Sequence, residues 1–152
     1  QTAVARPSTT MSAAPTPPCE QYSPQITQLI ITAFLGAYNS GAPEITDQFI
    51  APVPEFQWYG APGRQFPDDA ASTDRGSLPA YFAAQHTRGD RLELKDFSYN
   101  SVSYDQALNG AAVNFGYTLI HTFGGGSPHA APGKGALACD SGKIAVWRIE
   151  SW

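Results

Sequence analysis

Arg91-Leu92-Glu93-Leu94-Lys95-Asp96-Phe97-Ser98-Tyr99-Asn100-Ser101-Val102-Ser103-Tyr104 is the stretch on which the fold turns. Its apolar residues alternate, as in a half-buried strand, but the phase changes twice. Leu92 and Leu94 share one phase, Phe97 and Tyr99 the next, and Val102 and Tyr104 return to the first. A slip of one residue turns a strand's buried face outward, so the stretch predicts a long strand with a β-bulge near Lys95-Asp96. A long bulged strand belongs to a sheet that curls.

The strands that follow agree with this. Asp105 to Gly110 reads as a turn, and Val113, Phe115, Tyr117, Leu119 and His121 then alternate on one face of a strand over Ala112–Phe123. Phe123 to Gly135, with Gly124-Gly125-Gly126 and two prolines, reads as a loose loop. Ala136–Cys139 and Ile144–Trp152 read as a terminal hairpin around Asp140-Ser141-Gly142-Lys143.

Upstream the period changes from two to 3.6. Ser23-Pro24 is a helix start, with Ser as N-cap and Pro at the first helical position. Ile26, Leu29, Ile30, Ala33, Phe34 and Ala37 recur at three-four spacing, and Ile31, Leu35 and Tyr38 widen the stripe. Gly41 suits a left-handed C-terminal cap. A short helix fits Pro43–Ile50, stopped by Pro52 and Pro54. Phe56-Gln57-Trp58-Tyr59 reads as a short strand, Gly60–Gly76 as a loop, and Ser77–Thr87 as a third helix with Leu78, Tyr81 and Phe82 inward. Helices gathered at one end of the chain, then a run of strands, define an α+β domain with a mostly antiparallel sheet.

Composition bounds the rest. The chain has 152 residues, 42% hydrophobic and 14% charged, with 14 glycines and 13 prolines. That is enough for one domain with its own core. A net charge of −4 gives no basic face for nucleic acid, and no apolar run approaches the length of a membrane span. Residues 1–18 are nearly all Ala, Ser, Thr and Pro and read as a disordered linker ahead of a domain at 19–152. The linker resembles the stretch behind a removed export signal, which predicts an extracellular or cell-envelope location. Cys19 and Cys139, the two cysteines, read as a disulfide in that setting, with two free thiols as the alternative. A bridge between them would close about 120 residues, worth about 4–5 kcal/mol by chain entropy.

The order of elements resembles the nuclear-transport-factor-2-like, or SnoaL-like, superfamily. The resemblance rests on Ala37-Tyr38-Asn39-Ser40-Gly41, Ile45-Thr46-Asp47-Gln48-Phe49, Phe56-Gln57-Trp58-Tyr59-Gly60-Ala61-Pro62-Gly63, Arg75-Gly76-Ser77-Leu78-Pro79-Ala80-Tyr81-Phe82 and Ile144-Ala145-Val146-Trp147-Arg148-Ile149. It implies a cone-shaped, curved, mostly antiparallel sheet wrapped around the long N-terminal helix, a pocket between the two, and homodimers through the outer sheet face. It implies no single function, since such domains serve as enzymes, ligand binders and docking modules.

Three groups are candidates for chemistry. His121 shares the inward face of its strand and is a candidate general base, because histidine ordinarily titrates near neutral pH. The resemblance implies a carboxylate or His paired with a Tyr that donates to a developing oxyanion, and Asp47 and Tyr38, with Trp58 and Tyr59, lie in the region where the superfamily's enzymes carry such residues. Each also fits a structural role: a hydrogen-bonded strand-end histidine, a solvated helix position, a core aromatic with one polar partner. Phe34, Tyr38, Trp58, Tyr59, Tyr117 and His121 are expected to line a pocket for a small hydrophobic ligand. The three histidines are too scattered for metal-ligand spacing, and no phosphate-binding, dinucleotide or nucleophile-elbow motif occurs, so no cofactor is expected. The leading expectation is a binding or docking domain. The alternative is a cofactor-free isomerase, dehydratase or cyclase.

Overall fold

The computed structural model describes residues 18–60, 64–66, 75–105 and 110–149; within 53–60 and 64–66 the description is of the backbone. Most of the linker, residues 1–17, lies outside the described residues. A short 3-10 turn, Pro18–Gln21, leads into helix α1, Pro24–Ser40. Ser23 Oγ accepts from the Ile26 N–H at 3.2 Å, and Gly41 closes the helix at φ 72°, a left-handed conformation that suits glycine.

The face that α1 buries is Thr27, Ile31, Phe34, Leu35 and Tyr38. Ile26 and Leu29, which belong to the expected three-four stripe, are 42% and 63% exposed. Both stripes satisfy helical periodicity. The sheet takes the residues that widened the stripe, Ile31, Leu35 and Tyr38, together with Phe34 of the expected stripe.

Helix α2, Ile45–Phe49, ends before Pro52 as expected. Strand β1 then runs over Ile50–Gly60, longer than the sequence indicates and through two prolines. Its pairing with the last strand shifts between Ile50 and Glu55, so the prolines sit where the ladder is broken and no N–H is needed. The expected Gly60–Gly76 loop contains a three-residue strand, β2, Arg64–Phe66, opposite Trp58–Gly60. Helix α3, Leu78–Thr87, follows a 3-10 turn, Arg75–Ser77.

Four long strands complete the sheet: β3, Asp90–Asp105; β4, Gly110–Phe123; β5, His129–Ala138; and β6, Lys143–Ile149. The order is β2-β1-β6-β5-β4-β3, antiparallel except between β1 and β6. The β3–β4 register shifts between Leu94 and Asp96, the expected bulge, and again between Tyr99 and Ser101. β5 begins at His129, inside the stretch read as a loop. Its Ala, Gly and Pro content gives no strand signal, and the ladder to β4 imposes the conformation. Pro132 pairs with Thr118 of β4.

Phe34, Phe115, Tyr117 and Trp147 meet in the core between α1 and the concave sheet face. Cys19 and Cys139 are joined by a disulfide across 120 residues. No helix among the described residues is long and apolar enough to cross a membrane.

Candidate functional site

The site is built at the C-terminal end of α1. Asn39 holds that end to β3: its amide donates to the Leu92 carbonyl and its carbonyl accepts from the Leu92 N–H, both at 2.8 Å. This two-point clamp sets Tyr38, the preceding residue, over the start of β3. The α3–β3 turn is fixed by Gly89 at φ 80°, whose carbonyl accepts from the Gly124 N–H at 3.1 Å. A Cβ on Gly89 would stand 3.2 Å from the Gly124 Cα, so the close approach favours glycine.

Asp90, the first residue of β3, is 1% exposed and gathers the polar groups of three other elements. Tyr38 of α1 donates its hydroxyl proton to Asp90 Oδ2. Gln85, in the last turn of α3, donates from Nε2 to the same oxygen at 3.0 Å. His121 Nε2, from β4, bonds to Asp90 Oδ1. Gln85 is itself oriented by Arg88, whose Nη1 donates to Gln85 Oε1 at 2.9 Å. Tyr38, His121 and Gln85 are all buried.

A buried carboxylate tolerates desolvation only when hydrogen-bonded, and Asp90 has three donors or donor-capable partners. The Tyr38 phenol is pushed well above its ordinary value of 10.0, by burial first and then by Tyr81 and the Asp90 carboxylate. Tyr81 is raised too, by burial first and then by Asp90. Both phenols therefore remain protonated donors across the physiological range. A carboxylate, an imidazole and a neutral phenol in direct contact have the composition of an acid/base centre.

An aromatic cluster of the core adjoins these polar groups. Phe34 lies 6.5 Å from Tyr38, 4.9 Å from Trp147 and 6.1 Å from Phe82, ring centre to ring centre. Tyr117 stacks on Trp147 at 4.7 Å. Its hydroxyl donates to the backbone, to Arg148 O at 2.9 Å and Lys134 O at 3.2 Å, so it is held within the sheet. Room for these rings comes from β5: a Cβ on Gly133 would lie 2.6 Å from the Tyr117 ring, and one on Gly135 would lie 3.0 Å from Phe115.

Of the expected residues, the structure brings Tyr38 and His121 onto one carboxylate and places Phe34 and Tyr117 in the adjoining core. Asp47 lies elsewhere. Its side chain is 86% exposed and 3.5 Å from Arg75, which also donates to the Thr46 carbonyl at 3.0 Å. Trp58 and Tyr59 are placed by register alone, Trp58 opposite Ile149 and Phe66; their side chains lie outside the description. On β6, Trp147 and Ile149 are buried and Arg148 alternates with them.

Asp90 and Gln85 are absent from the sequence reading. A signal existed for each. Asp90 shares the phase of Leu92 and Leu94, so an acidic residue falls on the apolar face of its strand. Gln85 lies three residues after Phe82 and seven after Leu78, on the buried stripe of α3.

No protein-family model matches the chain, and no curated protein matches it in sequence. Solved structures match it in shape. A chain of the yeast complex of the deubiquitinase Ubp3 and its cofactor Bre5 superposes with a TM-score of 0.59 at 11% identity, over 83% of this chain and 94% of that one. The epoxide hydrolase/cyclase-like enzyme SalBIII, from pyran-ring formation in the polyether salinomycin, matches at 0.50 and 16% identity, over 83% and 90%. Nuclear transport factor 2 of Cryptosporidium parvum matches at 0.50 and 13%, over 83% and 93%. The fold is an α+β cone, with a curved, mostly antiparallel sheet around a long N-terminal helix. It is a nuclear-transport-factor-2-like fold.

Proposed function

We propose that the chain takes up a small hydrophobic molecule beside the aromatic cluster of Phe34 and Tyr117 and acts on it by cofactor-free acid/base chemistry at Tyr38, Asp90 and His121. The observation that carries this reading is the convergence of a phenol, an imidazole and a carboxamide on one buried carboxylate. A substrate oxygen arriving at Tyr38 takes over the phenol's hydrogen bond from Asp90. Asp90 Oδ2 thereby loses a stabilising donor and becomes the more basic group. It accepts a proton from the substrate or from water, while Tyr38 donates to the oxygen on which charge develops. His121 on Oδ1 holds the carboxylate in place during the transfer. Isomerisation, dehydration and epoxide opening share this requirement. The likeness of the fold to an epoxide hydrolase/cyclase-like enzyme supports including epoxides among the probes.

The test is proton exchange at the α-carbons of cyclohexanone in D2O, and ring opening of cyclohexene oxide, both followed by NMR. The wild type is expected to accelerate one of them, and Asp90→Asn to lose at least about 100-fold of that rate while staying folded. Equal rates in a folded Asp90→Asn protein would make Asp90 a structural residue and leave a binding domain. The reading includes an exported protein and a homodimer through the outer sheet face. Light scattering that gives the 16.2 kDa monomer at micromolar concentration would count against the dimer.

A further inference from the structure

The Asp90 cluster continues outward to a residue that the acid/base reading leaves without a role. Gln85 is buried on α3, and Arg88, three residues on, is exposed at the C-cap of the same helix. Arg88 Nη1 donates to Gln85 Oε1 at 2.9 Å, and Gln85 Nε2 donates to Asp90 Oδ2 at 3.0 Å. Both ends of the carboxamide are chemically matched. Its oxygen meets a guanidinium, which only donates, and its nitrogen meets a carboxylate, which only accepts.

A carboxamide has nearly the same shape when turned end for end. Turned, Gln85 would present Oε1 to Asp90, and two oxygens can share that contact only with a proton between them. The turned amide therefore goes with a protonated Asp90. Arg88 opposes the turn, because its guanidinium would then face the amide NH2, donor against donor. The other titratable groups facing Asp90 are Tyr38 from α1, Tyr81 from α3 and His121 from β4.

We propose that Arg88 is a positioning residue that keeps Asp90 ionised, by holding the Gln85 amide with its nitrogen towards the carboxylate. Gln85 then engages Oδ2 from α3 while Tyr38 engages the same oxygen from α1. When a substrate oxygen draws the phenol away, the lone pair set free is the one on the Tyr38 side, and the proton is accepted there. That last step rests on the function proposed above. The hold of Arg88 on the proton state of Asp90 does not.

The test is infrared spectroscopy of the substrate-free protein at neutral pH, where a protonated carboxylic acid shows a carbonyl stretch above the amide I band. The wild type and Arg88→Lys, which keeps a charged donor, are expected to show no such band from Asp90. Arg88→Met is expected to show one, and Arg88→Met/Asp90→Asn to lose it. Arg88→Met/Gln85→Met is also expected to lose it, since no Oε1 remains to share the proton. Where turnover is measured, Arg88→Met is expected to be about 10-fold slower, the worth of one hydrogen bond to a charged group, and Arg88→Lys close to the wild type. If a double variant fails to fold, the wild type and Arg88→Met, a change at an exposed side chain, decide. A wild-type band that Asp90→Asn removes overturns the proposal, as does a folded Arg88→Met protein without the band. An equal band with and without Gln85 overturns it too, because Arg88 would then act by its charge alone. The expected bands in a protein that turns over no substrate would uphold the inference and sink only the acid/base step.

Discussion

Asn39 and Leu92 exchange two hydrogen bonds of 2.8 Å, so a helix end and a strand edge are joined as two paired strands would be. The amide side chain imitates a peptide group. Its position one residue after Tyr38 makes it the registration point for the Asp90 cluster. Asn39→Ala leaves the Leu92 N–H and carbonyl to find other partners at a half-buried site. A loss of about 2–3 kcal/mol is expected in urea denaturation. Asn39→Asp, which keeps only the acceptor, is expected to fall between the two.

Alkaline pH should unfold the protein through its buried phenols. Tyr38, Tyr81 and Tyr117 are all raised well above 10.0, each chiefly by burial. Above pH 10 the unfolded chain releases these protons and the native protein keeps them. The native state then binds more protons, so stability, fully present below pH 10, falls as pH rises from there. Three such groups give a slope of up to about 4 kcal/mol per pH unit. Phenolate absorbance near 295 nm is expected to appear with the unfolding transition rather than before it for these residues. Tyr117→Phe should lower the slope by about one third.

Two glycines should respond in opposite ways to the same substitution. A Cβ on Gly133 would stand 2.1 Å from the Arg148 carbonyl oxygen, a backbone atom that cannot rotate away. Gly133→Ala is expected to cost about 3 kcal/mol or more, because the sheet itself must shift. Gly36, on the exposed side of α1, has nothing within 4 Å of its would-be Cβ. Gly36→Ala is expected to stabilise by about 0.5–1 kcal/mol. Thermal melts of the two variants side by side check both signs.

Reduction should weaken the fold without abolishing it. The Cys19–Cys139 bond closes 120 residues, and opening it restores about 4–5 kcal/mol of chain entropy to the unfolded state. Denaturation with and without dithiothreitol measures the difference, and the Cys19→Ser/Cys139→Ser double variant should match the reduced protein. An intact mass 2 Da below that of the reduced chain is expected before reduction.

Where the sequence carried its own punctuation, the fold was legible. Ser23-Pro24 and Gly41 bounded α1, and the phase change after Leu94 located the bulge. The end of β5 was legible, as the expected strand at Ala136–Cys139 hairpinned to β6; its first part was not, because glycine, alanine and proline state no preference for a strand and the ladders decide it. At the site, Tyr38 and His121 could be singled out because a tyrosine and a histidine on apolar faces stand out. Their meeting on one oxygen pair could not, since the shared partner sits where a turn becomes a strand and an aspartate there looks like ordinary punctuation. Asp47 illustrates the opposite case. Its place in the chain matched the site, but α2 turns it outward, where Arg75 reaches it.

The disulfide also decides how the domain bears load. Tension on the chain ahead of Cys19 does not travel through α1. It crosses the covalent bond to Cys139 and, towards the C-terminus, enters β6, an interior strand flanked by β5 and β1. The helix that presents Tyr38 lies within the bridged loop and is thus mechanically shielded, and the pull is borne by the two ladders of β6. In an optical trap, the oxidised protein should give way at a higher force than the reduced one, where the same pull peels α1 from the sheet first.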